Sequence, residues 1–164
     1  MFVVIISITP WICAFIAYVV YKRCKKPRYK GTFDCIETSP VCQKYFGSFQ
    51  VLFLKDLKLV WHRKDQRIET KCPIIITCFT MSRLSDDVTA ALEGLEVAGN
   101  SLMLVVLQNC LQGRKPSRMA TMKTISDTRI NAVVNVLVWE GEAYSCEINK
   151  MAACDIKTFL FSKT

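Results

Sequence analysis

The N-terminal stretch from Phe2 to Tyr21 carries no charged side chain over twenty residues. Twenty residues in an α-helix extend about 30 Å, which matches the hydrocarbon thickness of a bilayer. The stretch has no polar stripe, which argues against a buried helix of a soluble domain. Pro10 lies near its middle, and prolines are tolerated within membrane helices. We therefore expect residues 1–21 to form a transmembrane signal-anchor helix.

A basic segment, called the collar here, follows the apolar stretch directly. It holds six positive side chains and no acidic one: Lys22, Arg23, Lys25, Lys26, Arg28 and Lys30. Lys and Arg beside an apolar span mark the cytosolic side of a membrane and attract the head groups of anionic lipids. The collar therefore predicts a single-pass membrane protein with a cytosolic C-terminal domain. Cys24, within the collar, is a candidate for reversible palmitoylation.

Cleavage of the apolar stretch as a signal peptide is the alternative, and it would give a secreted protein. Against cleavage, no Lys or Arg precedes the stretch, which also exceeds the usual signal-peptide core of about 7–15 residues. In a secreted protein, the nine cysteines would be available for disulfides. In the cytosol they would remain reduced thiols, which is the state that we expect.

The net charge of +8 belongs mainly to the collar. Removing the six collar charges from the 22 basic residues leaves 16, against 14 acidic residues, for residues 31–164. A domain that binds nucleic acid needs basic side chains concentrated on its folded surface, so we expect no nucleic-acid partner. We also expect no metal, because the chain has no C-x-x-C pair and His62 is its single histidine. We expect no cofactor, and the chain has neither a GxGxxG nor a GxxxxGK(S/T) motif.

The remainder of the chain divides into a linker and one domain. Residues 22–48 contain glycines and prolines without a periodic apolar pattern, and we interpret them as collar and linker. Residues 49–164 have the length of one globular domain. Four apolar runs predict strands: Phe49–Leu54, Pro73–Thr80, Leu102–Leu107 and Ile130–Trp139. Runs that are apolar on both faces and rich in β-branched residues suit a sheet that is covered on both sides.

The clearest helix signal lies between the second and third of these runs. Ser85 is a predicted N-cap, Asp86 and Asp87 favour a first turn, and an apolar stripe continues to about Val97. Strand, helix and strand in this order predict parallel pairing with a right-handed crossover. A last helix is expected from Glu147 to Phe161, whereas residues 55–71 fit either a short helix or a hairpin.

These elements predict an α/β fold: one small Rossmann-like or flavodoxin-like domain on a mostly parallel sheet of four or five strands. A mixed α+β sheet is the alternative.

The segment CPIIITCFTMSRLSDDVTAALEGL, residues 72–95, resembles a family of short vertebrate α/β proteins. In that family a strand leads into Ser-Arg-x-x-x-Asp-[Val/Ile], an Ala-Leu helix and a second apolar strand, here LMLVVLQ. The stretches YKGTFDCIETSP and FQVLFL are similar as well, so the resemblance covers about half of the chain. It implies a shared fold and no function, because no activity is assigned to the family. In outline the domain also resembles small signalling modules of the Toll/interleukin receptor type.

An anion site is predicted at the carboxyl ends of the second and third runs, where ligands bind in open parallel sheets. The residues are Ser82, Arg83, Ser85, Arg114 and Lys115. Hydroxyls at a helix N-terminus together with Arg and Lys can bind phosphate. Asp86 and Asp87 oppose this hypothesis, because their charges repel an anion. The alternative is a solvated loop whose own charges pair with one another.

Three functions are compatible with the sequence. We expect a membrane-anchored protein whose cytosolic domain binds another protein, as an adaptor or regulatory module. This hypothesis rests on the anchor, the collar and the lack of a catalytic constellation, and no catalytic residue is predicted. The second hypothesis is a nucleotide- or phosphate-binding, enzyme-like module that uses the predicted anion site. The third is a secreted, disulfide-containing protein.

Overall fold

A computed structural model describes residues 31–68, 72–97, 101–116, 119–125 and 127–162. The strands are β1 (Gly31–Glu37), β2 (Leu57–Arg63), β3 (Ile74–Thr80), β4 (Leu102–Asn109), β5 (Ile130–Trp139) and β6 (Glu142–Ala143). The helices are α1 (Pro40–Phe53), α2 (Leu84–Leu92) and α3 (Glu147–Phe161). The predicted signal anchor, the collar and Cys24 lie outside these residues. Of the three helices described, none has the length and apolar character needed to cross a membrane.

All six strands belong to one sheet with the order β2-β1-β3-β4-β5-β6. The first five strands in this order are parallel to their neighbours, and β6 pairs antiparallel with β5. The chain moves one way from β1 to β2 and the opposite way from β3 to β4. Because both crossovers are expected to be right-handed, their helices lie on opposite faces of the sheet.

Each face of the sheet has its own apolar core. On one face α1 and α3 cover the sheet, with Phe46, Phe49 and Ile156 fully buried against it. On the other face the cover consists of α2 and of residues from the β4–β5 connection, including Ala120 and Ile125. The second cover is thinner, because the β4–β5 connection contains no helix among its described residues.

The predicted fold was wrong in the number of its strands and in lacking the antiparallel strand that makes the sheet mixed. The sheet is mixed and has six strands, not a mostly parallel set of four or five. One omission was β6, which has two residues and follows a tight turn at Glu140 (φ 50°) and Gly141 (φ 86°). A two-residue strand has no periodicity that a sequence pattern can reveal. The other two strands that the prediction lacked are β1 and β2, which are neighbours at one end of the strand order.

The predicted linker and the first predicted strand were also wrong. Residues 31–48 hold β1 and most of α1, and Phe49–Leu54 is the end of α1 with its C-cap. Ser39 is the N-cap, and its side chain accepts a hydrogen bond from the amide of Cys42. Pro40 occupies the first helical position, where proline is favoured. In the sequence this proline is also typical of a turn, although Cys42, Phe46 and Phe49 follow a helical spacing.

Most elements of the second half follow the sequence pattern. The strands β3, β4 and β5 lie at the predicted runs, β3 and β4 are parallel, and α3 has the predicted bounds. The helix α2 is shorter than expected, and its N-cap is Arg83, without a side-chain cap, rather than Ser85. The ambiguous segment after Leu54 forms neither a helix nor a hairpin, because β2 pairs parallel with β1.

Candidate functional site

The carboxyl ends of the five parallel strands form one edge of the sheet, called the carboxyl edge here. The strand order reverses between β1 and β3. Ligands and partners of α/β sheets commonly bind at such an edge. Three segments follow its strand ends: the first turn of α1, the turn from β3 into α2, and the β4–β5 connection. The predicted anion site lies on the second and third of these segments.

The turn from β3 into α2 is organised by the carboxylate of Asp87. Its Oδ2 accepts hydrogen bonds from the amides of Met81 and Ser82, both at 2.9 Å, and its Oδ1 accepts one from the Ser82 hydroxyl at 3.1 Å. The hydroxyl of Ser85 donates to Asp86 at 3.0 Å. The Ser-Arg-x-x-x-Asp pattern thus joins the strand end to the helix. An anion could bind the amides of Met81 and Ser82 only by displacing the carboxylate of Asp87.

The five predicted anion-site residues fall in two places. Ser82, Arg83 and Ser85 lie where β3 leads into α2. Arg83 and Ser85 line an open groove of about 620 Å³ together with Leu84, Met119 and Thr124. Arg114 and Lys115 are exposed on the turn after β4, where the amide of Arg114 donates to the carbonyl of Leu111 at 3.0 Å. The strands β3 and β4 are neighbours, so both groups lie along the same edge.

The β4–β5 connection is fixed to the sheet by one buried amide. Asn135 on β5 accepts hydrogen bonds from the amide of Ala120 and from Gln108 Nε2, and its own Nδ2 donates to the Ala120 carbonyl, all at 2.8 Å. Asn135 is 9% exposed. A polar side chain at this depth requires its hydrogen bonds, so the position of the connection depends on Asn135.

Exposed apolar side chains gather at the carboxyl edge, and the sequence did not single them out. Met81 follows β3 and is 83% exposed, Leu111 follows β4, and Trp139 ends β5. The amide of Cys110 donates to the carbonyl of Val138 at 2.9 Å, which sets Leu111 beside the end of β5. Val41 in the first turn of α1 is exposed at the same edge. We call Val41, Met81, Leu111 and Trp139, with Arg83, Arg114 and Lys115, the carboxyl-edge surface.

Cys42 and His62 do not form a catalytic pair. Cys42 Sγ lies 3.3 Å from the Ser39 hydroxyl and 3.4 Å from the Thr38 hydroxyl, beneath α1. His62 Nε2 lies 2.8 Å from Asp34 Oδ1. Alternate residues of a strand face opposite sides, and Cys35 and Trp61 belong to the core beneath α1. Asp34 and His62 therefore face the other side of the sheet from Cys42. Within the described residues, no group of three His, Cys, Asp or Glu side chains could hold a metal ion.

Burial raises the pKa of two groups near this edge. Burial, followed by the charge of Cys42, raises the pKa of the Cys78 thiol from 9.0 to about 12. Burial also raises the pKa of the Tyr144 hydroxyl from 10.0 to about 12, with smaller effects from Cys110 and Cys146. The Tyr144 hydroxyl donates to the Cys110 carbonyl at 3.0 Å. Both groups are neutral when protonated, so folding favours their protonated forms.

We expect the domain to lose stability as the pH rises above about 9, because the unfolded chain then releases protons that the folded chain retains. The contribution of Cys78 is complete below pH 9.0 and is lost as the pH approaches 12. Urea unfolding at a series of pH values measures this loss. Cys78→Ala should flatten the alkaline slope, and Cys154→Ala, at an exposed position, should leave it unchanged. Equal slopes for Cys78→Ala and the unmodified chain would contradict the assignment.

No protein-family model, no curated protein and no solved structure matches this chain. Its function is therefore inferred from the surface and the contacts of the domain itself.

Proposed function

We propose that the chain is a single-pass, membrane-anchored protein whose cytosolic domain binds another protein, as an adaptor or regulatory module. The apolar stretch Phe2–Tyr21 and the collar that follows it support the anchoring. The carboxyl-edge surface supports the protein binding.

The observation that carries the proposal is the exposure of Met81, Leu111 and Trp139 at the ends of three adjacent strands. Single exposed apolar residues are common, but a group of them at one edge marks an interaction site. Trp and Met are enriched in protein interfaces, where aromatic side chains often supply much of the binding energy. The group therefore has the composition of a protein-binding surface.

The charges around this group define the partner. Arg83, Arg114 and Lys115 are exposed beside Met81 and Leu111, whereas Glu140 and Glu142 are exposed beside Trp139. A partner that fits presents an apolar segment with acidic side chains at the end that faces Arg114 and Lys115. Complementary charges of this kind set the orientation and the rate of association more than the affinity.

The carboxyl-edge surface is accessible because of the place at which the collar joins the domain. The collar joins the domain at Gly31, the first residue of β1, at the opposite edge of the sheet. The carboxyl-edge surface therefore lies at the opposite edge of the sheet from Gly31, the residue through which the proposed anchor is attached. A cytosolic partner can approach it without contacting the bilayer.

Site-specific photo-crosslinking in cells tests the proposal. p-Benzoylphenylalanine at Met81 of the full chain is expected to give a protein adduct of defined mass in the carbonate-resistant membrane fraction. The same probe at Met151, an exposed residue of α3, is the matched control and should not give this adduct. Leu111→Asp should lower the adduct yield at position 81 about tenfold, as expected for an interface residue whose loss costs more than 1 kcal/mol.

Two results would contradict the proposal. The same adducts at positions 81 and 151 would show non-specific contact, and recovery of the chain in the carbonate supernatant would show that it is not anchored.

A further inference from the structure

We infer that the amino edge of the sheet rests against anionic lipid through the last turn of α1 and the start of β2. The surface consists of Val51, Leu52, Lys55 and Lys58, and it is called the amino-edge patch. This inference rests on the proposed membrane anchoring, and it assigns the face of the domain that lies on the bilayer.

The apolar part of the patch is a pair of consecutive side chains that the domain does not bury. Val51 is 68% exposed and Leu52 is 48% exposed, both in the last turn of α1. The helix turns Phe46 and Phe49 towards the sheet, which leaves Val51 on its outer side. Neighbouring exposed apolar side chains of this size indicate a contact surface.

The patch adjoins the point where the collar enters the domain. The side chain of Gln50 donates from Nε2 to the carbonyl of Leu57 at 3.0 Å, which ties the last turn of α1 to the first residue of β2. Leu57 pairs in the sheet with Gly31. The nine residues of the collar, 22–30, can span at most about 30 Å even when fully extended. The collar enters the domain at this edge, so the proposed anchor keeps the edge within that distance of the bilayer surface.

The charges of the patch suit anionic lipid. Lys55 and Lys58 are exposed, and Asp56 between them is the acidic side chain of the same turn. The collar carries six further positive charges in the nine residues that precede Gly31 in the chain. Glu93 and Glu96 are also exposed, but they follow α2 on the other face of the sheet. Apolar side chains flanked by lysines are typical of protein surfaces that bind at the membrane interface.

Photo-crosslinking to lipid in a purified system tests the inference. The full chain, with p-benzoylphenylalanine at Val51, is reconstituted into phosphatidylcholine vesicles with and without phosphatidylserine. The matched control carries the probe at Met151, which is 58% exposed on α3. Lipid adducts, measured by mass spectrometry, are expected mainly at position 51 and mainly with phosphatidylserine present. Lys55→Gln and Lys58→Gln should each lower the yield by about fivefold, the effect of one basic residue near an anionic surface.

The outcomes separate this inference from the proposed anchoring. Equal lipid-adduct yields at positions 51 and 151, in a chain that resists carbonate extraction, would overturn the patch and leave the anchoring intact. Extraction of the chain from the vesicles would overturn both. A covalent dimer formed through position 51 would assign the patch to a second copy of the chain and overturn the assignment to lipid.

Discussion

Asn149→Ala is expected to destabilise the domain by about 3 kcal/mol, because it removes hydrogen bonds from three backbone groups, two of them buried and one partly buried. Asn149 is fully buried in the first turn of α3. Its Oδ1 accepts a hydrogen bond from the amide of Leu137 at 2.7 Å, and its Nδ2 donates to the carbonyls of Leu137 and Tyr144, each at 2.8 Å. The last paired residues of β5 and β6 are Val138 and Ala143. The amide of Asn149 thus bridges the two chain segments where they separate.

Urea unfolding of the purified full chain in mild detergent measures this effect. The matched control is Asn131→Ala, at an exposed asparagine that accepts one hydrogen bond from the amide of Leu102 at 2.9 Å. A single, partly buried bond of this kind is worth about 1 kcal/mol. If the two variants lost the same free energy of unfolding, the bridge between β5 and β6 would not be a major source of stability.

Asn135→Ala is expected to cost about 2–3 kcal/mol and to release the β4–β5 connection from the sheet. The substitution removes the two hydrogen bonds to Ala120 and the one from Gln108. Ala120 and Ile125 form part of the core on the thinner face, so release of the connection also exposes apolar surface. Because Leu111, Arg114 and Lys115 begin this connection, we expect binding of the partner to weaken as well.

Limited proteolysis and urea unfolding distinguish local release from global unfolding. Asn135→Ala should speed cleavage within residues 112–128 under conditions in which the sheet remains folded. Asn109→Ala, at an exposed position at the end of β4, is the control and should leave the cleavage rate unchanged. An unchanged cleavage rate for Asn135→Ala would show that the connection is held by its apolar contacts alone.

The candidate site was predicted only in part. Arg83, Arg114 and Lys115 were placed at the carboxyl edge from the positions of β3 and β4, and they lie there. The charge of Asp87 predicts repulsion of an anion, but its hydrogen bonds to Met81 and Ser82 depend on the turn from β3 into α2 and have no signal in the sequence. The exposure of Met81 and Trp139 was missed. A methionine after a strand and a tryptophan at a strand end look the same in a sequence whether they are buried or exposed.

The sequence by itself determined β3, β4, β5 and α3, because each has a continuous apolar pattern whose spacing matches its secondary structure. The tertiary structure decided the rest of the sheet and the environment of single residues. Pro40 at the start of α1 is typical of a turn and masks the apolar spacing of this helix in the sequence. The strand β6 has two residues and forms only through its backbone pairing with β5. Asn135 and Asn149 are buried because distant segments close over them and their amides meet unpaired backbone. Such burial depends on packing between remote parts of the chain, which no local pattern records.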